Sequence, residues 1–201
     1  MSNSAIFADI YHKKIWDHHG SVSGDGSTPE LTKILSRELS TLLKKYNITS
    51  ILDIPCGDFS WMKDVDTENI RYIGADIVPD IIKENAANYA DRKSCEFRTM
   101  DICSDSLPEV DLIFCRDCLV HLSNKHIFKA LDNIRSSGAK YLMMTTFPDH
   151  NRNFNMLTGA WRSINFEKPP FNLHQPIEMI NEGFSLRGGR FSDKSMGLWK
   201  L

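Results

Sequence analysis

The stretch that decides the fold is SILDIPCGDF, residues 50–59 of a 201-residue chain. Residues 48–54 are apolar except at three positions, and this short run, bounded by a turn, predicts a buried strand of a parallel sheet ending near Asp53. Residues 55–57 follow as a tight turn in which Gly57 lets the backbone approach a ligand closely. Because ligands of open α/β sheets bind beyond the carboxyl ends of the strands, we expect a binding site beside Asp53.

Two further acids follow at the ends of two further predicted strands. Asp76 ends the strand predicted for residues 70–75, and Asp101 ends the one predicted for residues 95–100. An acid about 20 residues beyond a glycine turn, at the neighbouring strand end, is placed to bind ribose hydroxyls. Three acids at three successive strand ends are unusual by chance and indicate one ligand site at this edge of the sheet.

These motifs resemble those of class I S-adenosylmethionine-dependent methyltransferases. Residues 52–57, Leu-Asp-Ile-Pro-Cys-Gly, are similar to the first motif of that family, with Pro55 in place of its first glycine, and Gly74-x-Asp76 resembles its second motif. The resemblance covers about residues 45–146. It implies a Rossmann-like α/β fold, with helices on both faces of a seven-stranded, mostly parallel sheet whose last strand is antiparallel. It also implies S-adenosylmethionine as the cofactor.

The resemblance assigns a role to each strand end. It places Asp76 at the ribose, Asp101 at the adenine amino group, and the end of the fourth strand, residues 110–115, beside the transferred methyl group. The cofactor-binding residues that it implies are Asp53, Pro55, Cys56, Gly57, Asp58, Asp76, Ile77, Asp101, Ile102, Cys115 and Arg116.

Three titratable residues are candidates for catalysis. His121 and Asp117 follow the fourth strand, and His121 is the first choice of base because histidine titrates near neutral pH. His174 is the second candidate. Arg116 stays charged near neutral pH, so it suits an anionic group of the acceptor rather than proton removal.

The segments outside these motifs are predicted from composition and local signals. Residues 1–27, an aromatic-rich helix followed by a Gly/Ser loop, are expected to form a lid. Ser27 and Glu30 predict a capping box for the helix that follows.

Residues 147–175 form a long segment without periodicity, which is typical of a functional loop. This acceptor-side excursion contributes the expected pocket residues Trp161, Arg162, Asn165, Phe171 and His174. Residues 176–181 are predicted as a helix, and residues 184–191 and 195–200 as the last two strands.

The composition narrows the class of protein. The chain carries 24 Lys and Arg against 26 Asp and Glu, and this balance argues against a dedicated nucleic-acid binder. No apolar run approaches the ~18 residues of a membrane span, and the first residues do not form a signal peptide. The five cysteines, an odd number, are typical of reduced thiols, so we expect a cytoplasmic protein of one domain, residues 1–201. The oligomeric state is not determined by the sequence.

Competing cofactors and metals fit less well. A nicotinamide enzyme requires Gly-x-Gly-x-x-Gly after the first strand, which Pro55 and Asp58 break. Cys115 and Cys118 form a CxxC, but no second pair accompanies them, so no metal site is expected. The turn at residues 55–60 also resembles the nucleophile motif of cytosine-5 DNA methyltransferases, but too little chain precedes it for their cofactor motif.

The expected function is methylation of a small polar metabolite, with oxygen as the methylated atom and direct displacement as the mechanism. Two alternatives stay open. One is a non-catalytic module that binds an adenosine cofactor, and the other is a methyltransferase acting on a macromolecule.

Overall fold

The computed structural model describes residues 2–17, 21, 23–184 and 187–201, with only the backbone of residues 25 and 187. Met1, His18, His19, Gly20 and Val22 of the predicted lid lie outside the described residues. None of the described helices is long and apolar enough to cross a membrane.

A seven-stranded sheet forms the centre of the described chain. Its strands are β1 (Ser50–Asp53), β2 (Arg71–Asp76), β3 (Cys95–Thr99), β4 (Leu112–Cys115), β5 (Tyr141–Thr146), β6 (Glu178–Asn181) and β7 (Ser195–Lys200), in the spatial order β3-β2-β1-β4-β5-β7-β6. β1 to β5 pair in parallel, and β7 runs antiparallel to both β5 and β6. The predicted mostly parallel sheet with an antiparallel last strand is confirmed.

The helices α1 (Asn3–His12), α2 (Pro29–Lys45), α3 (Pro79–Asn88) and α4 (Asn124–Ser136) accompany this sheet. Successive residues of a strand point to opposite faces, so Ile51 joins the apolar cluster that contains the buried residues of α2, and Leu52 joins the cluster that contains those of α4. Helices therefore cover both faces, as predicted.

The strand order reverses between β1 and β4, because β1 pairs with β2 on one side and with β4 on the other. Such a switch point opens a crevice at the carboxyl ends of the strands. Asp53 is the last residue of β1, and Asp76 is the last residue of β2. The topology therefore brings these two acids to one crevice.

Three local predictions are wrong. The helix predicted for residues 176–181 is the edge strand β6, which pairs with β7, so tertiary pairing prevails over the local pattern. The strand predicted for residues 184–191 is not formed in its described part, where Arg187–Gly189 makes a short 3₁₀ turn; Ser185 and Leu186 lie outside the described residues. The capping box is absent, because Thr28 is the N-cap of α2 and Ser27 donates to the carbonyl of Ser23.

The irregular nature predicted for residues 147–175 is confirmed, since they form neither a helix nor a strand. The excursion is nevertheless tied to the sheet edge. The amide of Gly159 donates to the carbonyl of His121, and the amide of Arg162 donates to the carbonyl of Val120. These bonds hold the excursion beside the end of β4.

Candidate functional site

A cavity of about 480 Å³ lies along the carboxyl ends of the strands, between the sheet and α1. Its floor contains the three predicted acids, Asp53, Asp76 and Asp101, and its roof contains Phe7 and Ile10 of α1. A volume in this range is typical of pockets for small molecules and cofactors.

The structure brings most of the predicted site residues to this cavity. Those that line it are Asp53, Pro55, Cys56, Gly57, Asp58, Asp76, Ile77, Asp101, Ile102, Arg116, Asp117 and His121. Two predicted residues lie elsewhere. Cys115 is buried in the core, and His174 is an exposed residue whose ring nitrogen Nδ1 lies 2.9 Å from the carbonyl oxygen of Gln175.

The two acids at the strand ends are buried, and burial makes ionisation of their carboxyl groups unfavourable. Asp53 accepts a hydrogen bond from the hydroxyl of Tyr72, and burial raises the pKa of its carboxyl to about 7. The carboxylate of Asp76 accepts from the backbone amides of Val78 at 3.0 Å and Gly57 at 3.3 Å, and burial raises its pKa to about 6. Both groups retain acceptor oxygens at the cavity.

The turn after β1 is fastened to the N-terminal segment. Asp58 accepts a hydrogen bond from the hydroxyl of Ser21 at 2.8 Å, and its amide donates to the hydroxyl oxygen of Ser23 at 3.3 Å. Gly57 has φ +52°, and a Cβ atom there would lie 2.1 Å from Oγ of Ser23, so only glycine permits this close approach. Asn85 of α3 supports the turn by donating to the carbonyl of Gly57 at 2.7 Å.

Four buried or partly buried charged side chains, which we call the charge cluster, meet beside the end of β4: Arg116, Asp117, Glu182 and Lys194. Arg116 donates to Glu182 at 2.6 and 3.2 Å and to the carbonyl of Gly26 at 2.7 Å. Lys194 lies 2.6 Å from Asp117 and 3.3 Å from Glu182. Burial opposes the ionisation of Asp117, but Lys194 and Arg116 outweigh it and lower its pKa to about 2. The cluster therefore holds two cations and two anions in mutual contact.

His121 lies at the other side of Asp117, in the short turn after β4. Its Nδ1 is 2.9 Å from the carbonyl oxygen of Ala160, so in the neutral ring Nδ1–H donates and Nε2 is left as the basic nitrogen. Its ring lies against the indole of Trp16, with the centroids 4.3 Å apart. Burial lowers the pKa of His121, and the Ala160 carbonyl and Asp117 only partly oppose this effect. The imidazole is therefore neutral at pH 7 and able to accept a proton.

Only some of the residues predicted to form the acceptor pocket lie at the cavity. Trp161 lines the cavity, but Arg162, Asn165 and Phe171 are buried in the protein and do not line it. Arg162, for example, donates to the carbonyl of Leu122 at 2.8 Å. These three residues build the excursion rather than the pocket.

Sequence reasoning missed several residues of the site. They are Asn3, Phe147, Phe184, Phe191 and Lys194, which line the cavity, and Glu182, which lies behind it. Lys194 and Glu182 stand near the last strands, far along the chain from Arg116 and Asp117, and no local motif marks them. Phe147 follows β5 directly, so its place at a strand end is the one signal that was available.

A family model described as a methyltransferase domain matches residues 51–138. No curated protein matches the chain. Among solved structures, the methyltransferase domain of bacterial CtHen1 is similar with a TM-score of 0.63 and 12% identity, over 85% of this chain and 100% of that one. Magnesium protoporphyrin IX methyltransferase from Synechocystis, with bound SAH, has a TM-score of 0.56 and 16% identity, over 73% of each chain. The N-methyltransferase NodS from Bradyrhizobium japonicum, also with SAH, has a TM-score of 0.54 and 16% identity, over 73% of this chain and 74% of that one.

Proposed function

We propose that this chain is a class I S-adenosylmethionine-dependent methyltransferase and that it transfers a methyl group from S-adenosylmethionine to an oxygen of a small polar acceptor. The observation that carries the proposal is the convergence of Asp53, Asp76 and Asp101 on one cavity, beside the turn at Gly57. Carboxylates that retain acceptor oxygens suit the hydroxyl and amino donors of an adenosine cofactor.

The residues present fit this cofactor. Asn3, only 8% exposed, lines the cavity, and its Oδ1 has no hydrogen-bond partner among the described residues. A buried acceptor without a partner is unfavourable, so a ligand that donates a hydrogen bond there would be stabilised. The carboxylate of Asp58 at the turn would repel a pyrophosphate, whereas S-adenosylmethionine carries no phosphate.

When bound, S-adenosylmethionine supplies a methyl group on a positively charged sulfur. The protein must then align the acceptor and remove its proton. In the proposed mechanism Nε2 of His121 accepts the proton of the acceptor hydroxyl, and Asp117 orients the acceptor or the amino end of the cofactor. Residues 1–27 serve as the lid, and the excursion at residues 147–175 closes the acceptor side through Trp161.

Calorimetry on the full chain tests the proposal. S-adenosylmethionine and S-adenosylhomocysteine should bind, and NAD should not. Asp76→Ala should weaken S-adenosylhomocysteine binding at least tenfold, because each hydrogen bond to a charged group contributes about 1.5–3 kcal/mol.

Asp91→Ala, a change at an exposed aspartate of the same chain, is the matched control and should bind normally. Circular dichroism of both variants shows whether the fold is kept. Binding of NAD as tight as that of S-adenosylhomocysteine, or unchanged affinity in folded Asp76→Ala, would refute the proposal.

A further inference from the structure

Aromatic side chains gather at the end of the cavity next to His121. Four of them, which we call the aromatic wall, line the cavity: Trp16, Phe147, Trp161 and Phe191. Trp161 packs edge-to-face on Phe191 and Phe147, with ring centroids 4.8 and 5.9 Å apart. Trp16 lies against His121 on the other side.

One hydrogen bond joins the two halves of this wall. The ring of His121 is bonded to the carbonyl of Ala160, the residue directly before Trp161. His121 therefore contacts Trp16 through its ring and the segment that carries Trp161 through its Nδ1–H.

Trp161 is the member of the wall that the protein itself leaves uncovered. It is 42% exposed, although it belongs to a cluster with Phe147, which is 1% exposed. An indole that is fixed on one edge and uncovered over much of its surface offers apolar area that a flat ligand can bury.

The charges near the wall are already compensated. Arg116 is engaged by Glu182 and Gly26, and Lys194 is engaged by Asp117 and Glu182. An ionised acceptor at this end would have to displace one of these contacts, which is costly for buried charges.

Two other groups near the wall, His121 and Arg190, add no uncompensated charge to the cavity lining. The lowered pKa of His121 leaves its imidazole neutral. Arg190, an exposed residue, places its guanidinium 5.3 Å from the ring centre of Phe191 but does not line the cavity.

We propose that the acceptor is an uncharged aromatic compound with a ring hydroxyl, whose ring packs against the aromatic wall and whose hydroxyl faces His121. This inference rests on the proposed function and names its substrate class. The observations that carry it are the uncovered face of Trp161, the contacts of His121 with Trp16 and with the segment that carries Trp161, and the compensated charge cluster.

The test uses the full chain saturated with S-adenosylhomocysteine and three matched probes. The probe 4-hydroxybenzamide is neutral and aromatic, 4-hydroxybenzoate has the same ring with a negative charge, and 4-hydroxycyclohexanecarboxamide has the same polar groups without an aromatic ring. Affinities are measured by calorimetry, and contact with the protein is checked by saturation-transfer NMR. We expect 4-hydroxybenzamide to bind at least tenfold more tightly than either of the other probes.

Two variants and a matched control locate the binding. Trp161→Ala and Phe191→Ala should each weaken 4-hydroxybenzamide binding at least fivefold. Phe154→Ala removes an aromatic side chain of the same excursion that is 57% exposed and lies outside the cavity lining, and it should leave the affinity unchanged.

Each possible result either supports or overturns the proposed acceptor class. Binding of the charged or the non-aromatic probe within tenfold of 4-hydroxybenzamide, no binding of any probe at millimolar concentration, or a loss of affinity below fivefold in either wall variant overturns the inference. S-adenosylhomocysteine binding is measured first and separately. Its absence would refute the proposed function, whereas normal cofactor binding without the aromatic preference would refute only the acceptor class.

Discussion

At the scale of single residues, the site depends on where buried groups keep or lose their charge. The strand-end acids Asp53 and Asp76 are buried, which raises their pKa values, while Lys194 and Arg116 keep Asp117 ionised. His121 is neutral for the same physical reason that raises the pKa of the acids, since burial disfavours the charged form of either type.

The first prediction concerns His121. His121→Asn keeps a donor for the Ala160 carbonyl but has no basic nitrogen, so turnover should fall by about 10²-fold or more. Because the wild-type pKa lies below its ordinary value of 6.5, the wild-type rate should rise on the acid side of neutrality and then level off. Steady-state rates between pH 5 and 9, once an acceptor is available, measure both effects.

His174→Ala is the control for this change, because His174 is an exposed histidine away from the cavity. It should keep the wild-type rate and pH profile. If His121→Asn also kept them, His121 would not be the base, and alignment of the reactants would account for catalysis.

The second prediction concerns the pH dependence of stability. The carboxyl of Asp53 has an ordinary pKa of 3.8 and a folded-state pKa of about 7. Between these values the folded chain binds more protons than the unfolded chain, so this group lowers the free energy of unfolding as pH rises. Asp53→Asn removes the effect and should gain stability relative to wild type between pH 5 and pH 8, on the order of 2–3 kcal/mol.

Urea unfolding of both proteins at the two pH values measures this difference. Asp111→Asn is the matched control. Burial opposes ionisation of Asp111, but hydrogen bonds from Lys140 and Thr49 lower its pKa below the ordinary value, so it is ionised throughout this range. Its effect on stability should therefore be equal at pH 5 and pH 8. An Asp53→Asn difference that does not change with pH would contradict the assigned environment.

At the scale of elements, α1 is attached to the domain by few buried contacts. Of the residues of this helix, Asn3 and Ile10 are buried, and its polar contacts to α3 are the exposed pairs Tyr11–Glu84 and His12–Asp80. Its inner side nevertheless forms the roof of the cavity. This combination is expected of a segment that closes over a ligand more than it supports the core.

Deletion of residues 1–19 tests this reading. It should weaken S-adenosylhomocysteine binding at least tenfold and reduce turnover, while the melting temperature of the ligand-free protein falls by only a few degrees. Calorimetry and thermal unfolding give the two numbers. A large loss of thermal stability with normal affinity would show that α1 serves packing instead.

His12→Ala is the control at this scale, because His12 is exposed and lies outside the cavity lining, and the change removes its exposed contact with Asp80. It should change neither affinity nor melting temperature appreciably.

At the scale of the whole molecule, the charge cluster joins segments that are distant in the chain. Glu182 follows β6, Lys194 precedes β7, Arg116 follows β4, and Gly26 precedes α2. The cluster therefore connects the last two strands to the edge of the cavity and to the N-terminal segment.

Glu182→Gln should test this connection, because it leaves Arg116 buried without its main anionic partner. Breaking a buried ion pair typically costs about 3–5 kcal/mol. Glu178→Gln, at the start of β6, is the matched control: its partner Lys45 is largely exposed, and such pairs contribute about 0–1 kcal/mol. Urea unfolding at pH 7 compares them, and equal losses in the two variants would refute a structural role for the cluster.

The sequence by itself determined the five parallel strands and the meeting of three acids at their carboxyl ends. Asp53 and Asp76 each end a short, mostly apolar run, Asp101 follows the third predicted strand, and successive parallel strands bring such positions to one edge. The local pattern around each acid was therefore sufficient, and all three line the cavity.

Only the tertiary structure decided the rest. Residues 178–181 became a strand because β7 offered an edge to pair with. The packing of irregular loops brings Glu182 and Lys194 to the charge cluster beside Arg116. The same packing places Trp161 rather than Phe171 at the cavity. Contacts between such distant and irregular segments depend on the shape of the whole chain, so no spacing within the sequence announces them.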